Sequence, residues 1–107
     1  MNFESKGKTY VLTFNYNAIA DIEEVSGRGI GNLLSESVIG LHVVRILVWG
    51  GLRARIPGIV KHKAGEILHE YIKENGMDAY QELAQRIVQE LNRSLSNSEQ
   101  SDEGAGE

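Results

Sequence analysis

At 107 residues the chain has the length of one domain, with no room for a second core. With 41% hydrophobic and 24% charged residues it has the make-up of an ordinary globular protein, which excludes wholesale disorder, collagen-like repeats and membrane spans. Eleven Lys and Arg stand against fifteen Asp and Glu, a net charge of −4, but Glu99, Asp102, Glu103 and Glu107 crowd residues 96–107 with no base among them. The body before them is neutral, which argues against general nucleic-acid binding, where a surplus of cations must neutralise phosphates.

The absence of cysteine excludes a disulfide framework, a thiolate metal site and a cysteine nucleophile, and fits a reducing, cytosolic setting. The first residues, Met1 to Gly7, lack the basic-then-apolar layout of a signal peptide. The most apolar run, Val38 to Leu52, is short and carries His42 and Arg45. No secretion or membrane anchoring is expected.

The chain opens as a β-hairpin over residues 1–14. Tyr10, Leu12 and Phe14 alternate with Thr9, Val11 and Thr13, and Lys6-Gly7 supplies a two-residue turn. That turn sets Phe3 opposite Tyr10 and Met1 opposite Leu12, leaving Met1, Phe3, Tyr10, Leu12 and Phe14 on one apolar face that helices must cover. From Asn15 the period changes to about 3.6, with Asn15 or Asn17 as cap, Ala18, Ile19, Ile22 and Val25 on the apolar face and Gly27 as the stop. Gly27 to Gly31 reads as a flexible link to a brief helical turn over Asn32 to Glu36.

A central helix follows from Leu41 to about Arg55, apolar on most sides and ended by Pro57-Gly58. Gly50 and Gly51 lower its helix propensity, so the pair predicts close approach by another backbone. His62 to Asn75 is an amphipathic helix stopped by Asn75-Gly76. Another starts after Asp78, in a capping box with Gln81, and continues through Tyr80, Leu83, Ala84, Ile87, Val88 and Leu91 to Leu95. Residues 96–107 contain no large apolar side chain and are expected to form a flexible acidic tail. The expected fold is therefore α+β and mainly α-helical: one globular domain over 1–95, an N-terminal β-hairpin packed on four or five helices, and a tail over 96–107.

No catalytic team stands out. Gly27-Arg28-Gly29-Ile30-Gly31 has G-x-G-x-G spacing and follows a helix, unlike the strand-borne G-x-G-x-x-G of dinucleotide sites. His62, Glu66 and His69 share a helix face beside Glu70, but the spacing is not HExxH and a solvated polar face explains them. Glu23-Glu24 belongs on a helix exterior. No metal or cofactor is expected, nor an enzyme. Arg53, Arg55, Lys61, His62 and Lys63 form the local basic cluster, where a helix C-terminus favours cations.

The most informative group is the stripe of His42, Arg45, Trp49 and Arg53 on the central helix, with the chain's one tryptophan between two arginines. Trp and Arg are the residues most enriched at interface hot spots, which makes Arg45, Trp49 and Arg53 the candidate partner-binding residues. The alternative is that Trp49 covers the apolar face of the hairpin while the arginines reach past it to water. An oligomer interface containing the stripe would satisfy both, and a central helix apolar nearly all round favours self-association.

Two stretches carry a family resemblance. Tyr10 to Glu24 is a strand running into a helix that ends in acidic residues; Val44 to Arg53 is a helix ending in Gly-Leu, followed by Ala64-Gly65-Glu66-Ile67-Leu68. In this order, over about residues 8–91, the chain resembles the tail assembly chaperones of long-tailed phages, particularly those encoded in gene transfer agents and related prophages. The resemblance implies a non-enzymatic role in the host cytoplasm: binding the tape-measure protein, keeping its apolar helices soluble and helping to recruit tail tube subunits. The alternatives are a structural tail component, such as a tube or connector subunit, and a small DNA-binding regulator using the basic cluster.

Overall fold

Two strands and then five helices follow one another in the computed structural model of the chain, which describes residues 1–35 and 39–106, with side chains as far as Ser96. Strands β1 (Asn2–Ser5) and β2 (Lys8–Val11) pair antiparallel with Phe3 opposite Tyr10 and Asn2 opposite Val11. Lys6 and Gly7 turn the chain with φ of 53° and 75°, the left-handed pair that matches the twist of a hairpin. Beyond the strands the pairing continues: the Leu12 N–H donates to the Met1 carbonyl at 2.8 Å, and the N-terminal ammonium donates to the Leu12 carbonyl at 3.1 Å. The expected apolar face forms, with Phe3, Leu12 and Phe14 buried and Met1 and Tyr10 packed at its edge.

Helix α1 (Tyr16–Ser26) begins at Asn15, whose side-chain oxygen accepts from the Ala18 N–H at 2.9 Å, and ends at Gly27 in the left-handed conformation. Glycines 29 and 31 are drawn into the next element, α2 (Ile30–Leu34), for which Gly29 is the N-cap residue. The Ile30 N–H donates to the Glu23 carboxylate at 2.7 Å, so this acidic side chain of α1 fills the place of the side-chain cap that Gly29 lacks. Glu36, at which the sequence reading ends this turn, lies outside the described residues.

Helix α3 (Leu41–Leu52) is the centre of the core, with Val43, Val44 and every residue from Ile46 to Leu52 buried. It is shorter than expected. The Arg55 and Ile56 N–H groups both donate to the Leu52 carbonyl, closing a turn that leads to Pro57-Gly58. The Gly50-Gly51 pair does mark a close approach, but chiefly by side chains rather than backbone. A Cβ on Gly50 would meet the Ile22 side chain, with Cδ1 at 2.8 Å, and one on Gly51 would lie 3.0 Å from the Phe14 ring and 3.1 Å from Leu12 Cβ. Backbone contributes the Ala18 carbonyl, 3.4 Å from the same Gly50 position, and a hydrogen bond from the Thr13 N–H to the Gly51 carbonyl.

Helix α4 (Lys61–Asn75) packs on α3, on β1 and on α5 (Met77–Gly106). It covers β1 of the hairpin: Phe3 meets the Tyr71 ring edge-on at 5.8 Å, and the buried Ser5 hydroxyl donates to the Ile67 carbonyl at 3.2 Å. Gly76 ends α4 as expected, and α5 starts at once at Met77. Asp78 therefore lies inside the first turn, where a carboxylate favours the positive end of the helix dipole, and is not the cap of a capping box. The bounds of α5 run to Gly106, past Leu95 where the sequence reading stops. The expected flexible tail over 96–107 falls, from residue 97 on, where side chains are outside the description.

Candidate functional site

The three residues read as partner-binding do not act alike. Trp49 is 7% exposed, and its indole N–H donates to the Ile59 carbonyl at 3.0 Å, so the ring is a core element that anchors the segment after α3. A hot spot must be reachable by the partner, and Trp49 is not. Arg53 covers its outer side, with the guanidinium carbon 5.1 Å from the ring centroid, and is held there by Asp21 of α1 at 3.1 Å. Arg45, half-buried one helical turn before Trp49, reaches the other way, along α4, where a Cβ on Gly65 would lie 3.2 Å from its Cδ. The stripe is thus divided between a stacked cation and an arginine in a separate cleft. His42, its first member, is exposed.

The basic cluster near Pro57 is partly neutralised. Arg53 is paired with Asp21, and Glu66 lies 3.6 Å from His62 and 3.7 Å from Lys63. His62 and Glu66 are neighbours one turn apart on α4, and His69 is exposed. Among the described residues no set of three His, Asp or Glu side chains converges as metal ligands do.

The surface that sequence reasoning missed is a groove between the start of α3 and one face of α5. Leu41 and Ile39 form one wall; Met77, Ala84 and Val88 rise along α5 to form the other, with a volume of about 670 Å³ between them. Leu41 is 63% exposed and Met77 49%, while Tyr80, one turn along α5, is buried, which pushes its phenol pKa up. Spacings of three, four and seven residues put Met77, Tyr80, Ala84 and Val88 on a single stripe of α5.

No charged side chain lines this groove, although a quarter of the chain is charged. Its polar residues are Gln81, Gln85 and Gln89, spaced four apart in a row beside the apolar stripe. Each carries a donor and an acceptor and no net charge. Such a surface discriminates by shape and apolar contact, with amides to satisfy polar groups at its rim, which is how amphipathic helices are taken into grooves.

The glutamine row was the available signal. A repeat of Gln at four-residue spacing beside Ala84 and Val88 is neither a core face nor the charged face of a solvated helix. Leu41 gave no such sign, because an apolar residue opening a helix apolar nearly all round reads as core. Among the described residues no helix is long and apolar enough to cross a membrane. Compared with protein-family models, with curated proteins and with solved structures, the chain finds no match in any of the three.

Proposed function

We propose that the protein is a non-enzymatic assembly chaperone of the phage-tail kind, acting in the host cytoplasm. It holds an apolar helical segment of the tape-measure protein in the groove between α3 and α5 and helps to bring tail tube subunits to it. One observation carries this reading: an uncharged groove of about 670 Å³ whose walls include Leu41 and Met77, both substantially exposed in the chain by itself. Exposed apolar walls with a neutral amide rim suit a client helix with one apolar face, and burying such a face is what keeps an aggregation-prone client in solution. The order of strand, acidic-ended helix and Gly-Leu-ended helix in the sequence supports the same family of roles.

The test is co-expression with the long coiled-coil-rich protein encoded beside this chain. Soluble client recovered with the wild type, and lost with Leu41→Glu while that variant stays folded, supports the chaperone reading. A client equally soluble without the chain would refute it. A chain that stays in purified tails would point instead to a structural subunit.

A further inference from the structure

A second cleft, of about 610 Å³, opens between the hairpin turn, Arg45 of α3 and the outer face of α4, and it shares no lining residue with the groove. Its wall carries Lys6, Arg45, Lys63, Glu66 and Glu70, with two histidines. Most of these charges are already matched. Glu66 lies near His62 and Lys63, and Glu70 lies 3.5 Å from Lys6 and 4.0 Å from Lys73.

Arg45 is the exception. Among the described residues it takes part in no ion pair, and its Nε, shut off from solvent, has no hydrogen-bond acceptor. A guanidinium N–H removed from water without an acceptor is costly, and because no ligand reaches it either, an oxyanion in the cleft meets the guanidinium at its terminal N–H groups. Its position also depends on Gly65, since a side chain at that point of α4 would press on the Arg45 stem at Cδ. Glycine inside a helix sacrifices propensity, and here it leaves the space in which Arg45 lies.

We propose that this cleft docks a peptide segment of a partner protein through one carboxylate, taken by Arg45. The planar fork of arginine suits a carboxylate. A polyanion such as a nucleic-acid backbone fits poorly, because Lys6 and Lys63 are already paired with Glu70 and Glu66, which leaves Arg45 as a single cation for a string of phosphates. The volume lies in the range of roughly 300–1,000 Å³ that holds drug-sized ligands, enough for a few residues around the charged one. This inference stands apart from the groove, and neither depends on the other.

The probes are two capped tripeptides, N-acetyl-Gly-Glu-Gly-amide and its Gln counterpart, titrated into the ¹⁵N-labelled full chain and followed by NMR. The Glu peptide should shift the Arg45 Nε–H resonance and the amides of Gly65 and Glu66, with the Gln peptide weaker by about tenfold or more. Arg45→Met should abolish the response with the unfolding midpoint little changed. Gly65→Ala, which keeps the arginine but displaces its stem, should weaken it. Equal responses to the two peptides, or none at Arg45, would overturn the proposal. So would acetate binding as well as the Glu peptide, or tighter binding of a DNA oligonucleotide.

Discussion

At the scale of single residues, the packing around α3 is tight enough to turn small changes into measurable ones. Gly50→Ala gains helix propensity worth about 1 kcal/mol, but its methyl group would overlap the fully buried Ile22 side chain. Overpacking of this kind costs about 1–3 kcal/mol. The expected outcome is net destabilisation, read as a lower urea midpoint with an unchanged slope. Trp49→Phe keeps much of the aromatic volume but leaves the Ile59 carbonyl without its indole donor. It should cost about 1–3 kcal/mol, with the loss read in the same experiment. A third effect depends on pH. The Arg93 side chain hydrogen-bonds to Glu90, outweighing the opposing effect of burial, and holds that carboxyl below its usual range. A depressed folded pKa stabilises the fold above the unfolded value and loses that contribution as pH falls through the folded one. The stability gap between wild type and Glu90→Gln should therefore be present at neutral pH and close in acid. It should be small, because the Arg93 side chain is 62% exposed.

At the scale of elements, the hairpin shows what a sequence can and cannot reveal. Its register was legible because alternation and a two-residue turn fix which side chains face each other, and a slip of one residue would send Phe3 and Leu12 to solvent. What covers it was not legible. Trp49 and Tyr71 both lie on helices with apolar stripes, and only the folded chain shows Tyr71 and Ile67 of α4 against Phe3 and Ser5 while the Trp49 indole is tied to Ile59. Element ends were read least well. Asn75-Gly76 marks the stop of α4, but the start of α5 one residue later is not legible, because Asp78 is equally acceptable as a cap or in a first turn. The turn itself carries a testable flaw. Lys6 holds φ of 53°, a conformation that Asn adopts at lower cost than Lys, while among the described residues its ammonium pairs with Glu70 alone, at the surface. Lys6→Asn should therefore raise stability, by up to about 1 kcal/mol, and slow amide hydrogen exchange in β1 and β2 more than in α3.

At the scale of the whole molecule, the question is which apolar surface the fold leaves uncovered. The sequence suggested α3, too apolar for a chain of this size to bury. The structure instead buries it from Val43 to Leu52, apart from half-buried Arg45, so that reason for self-association falls away. Tyr16, Ile56 and Val60 are exposed singly elsewhere, but where α3 begins and meets α5 two exposed apolar side chains, Leu41 and Met77, line one groove without charge. This changes which mutation can test client binding. Trp49→Ala would remove a buried ring and its hydrogen bond, at a cost of about 3–5 kcal/mol, a large fraction of the 5–15 kcal/mol or so that holds a domain together. Loss of a complex with that variant would report unfolding as readily as contact. Leu41 is already 63% exposed, and surface substitutions usually change stability by no more than about 0.5 kcal/mol. Leu41→Glu should accordingly leave the circular dichroism spectrum and unfolding midpoint near those of the wild type. It would also place a charge in a groove that has none, which an apolar helix cannot pair. If the groove holds the client, this variant loses the complex while remaining folded, and Arg53→Ala, outside the groove, retains it. Retention by both variants would remove the groove from the binding surface.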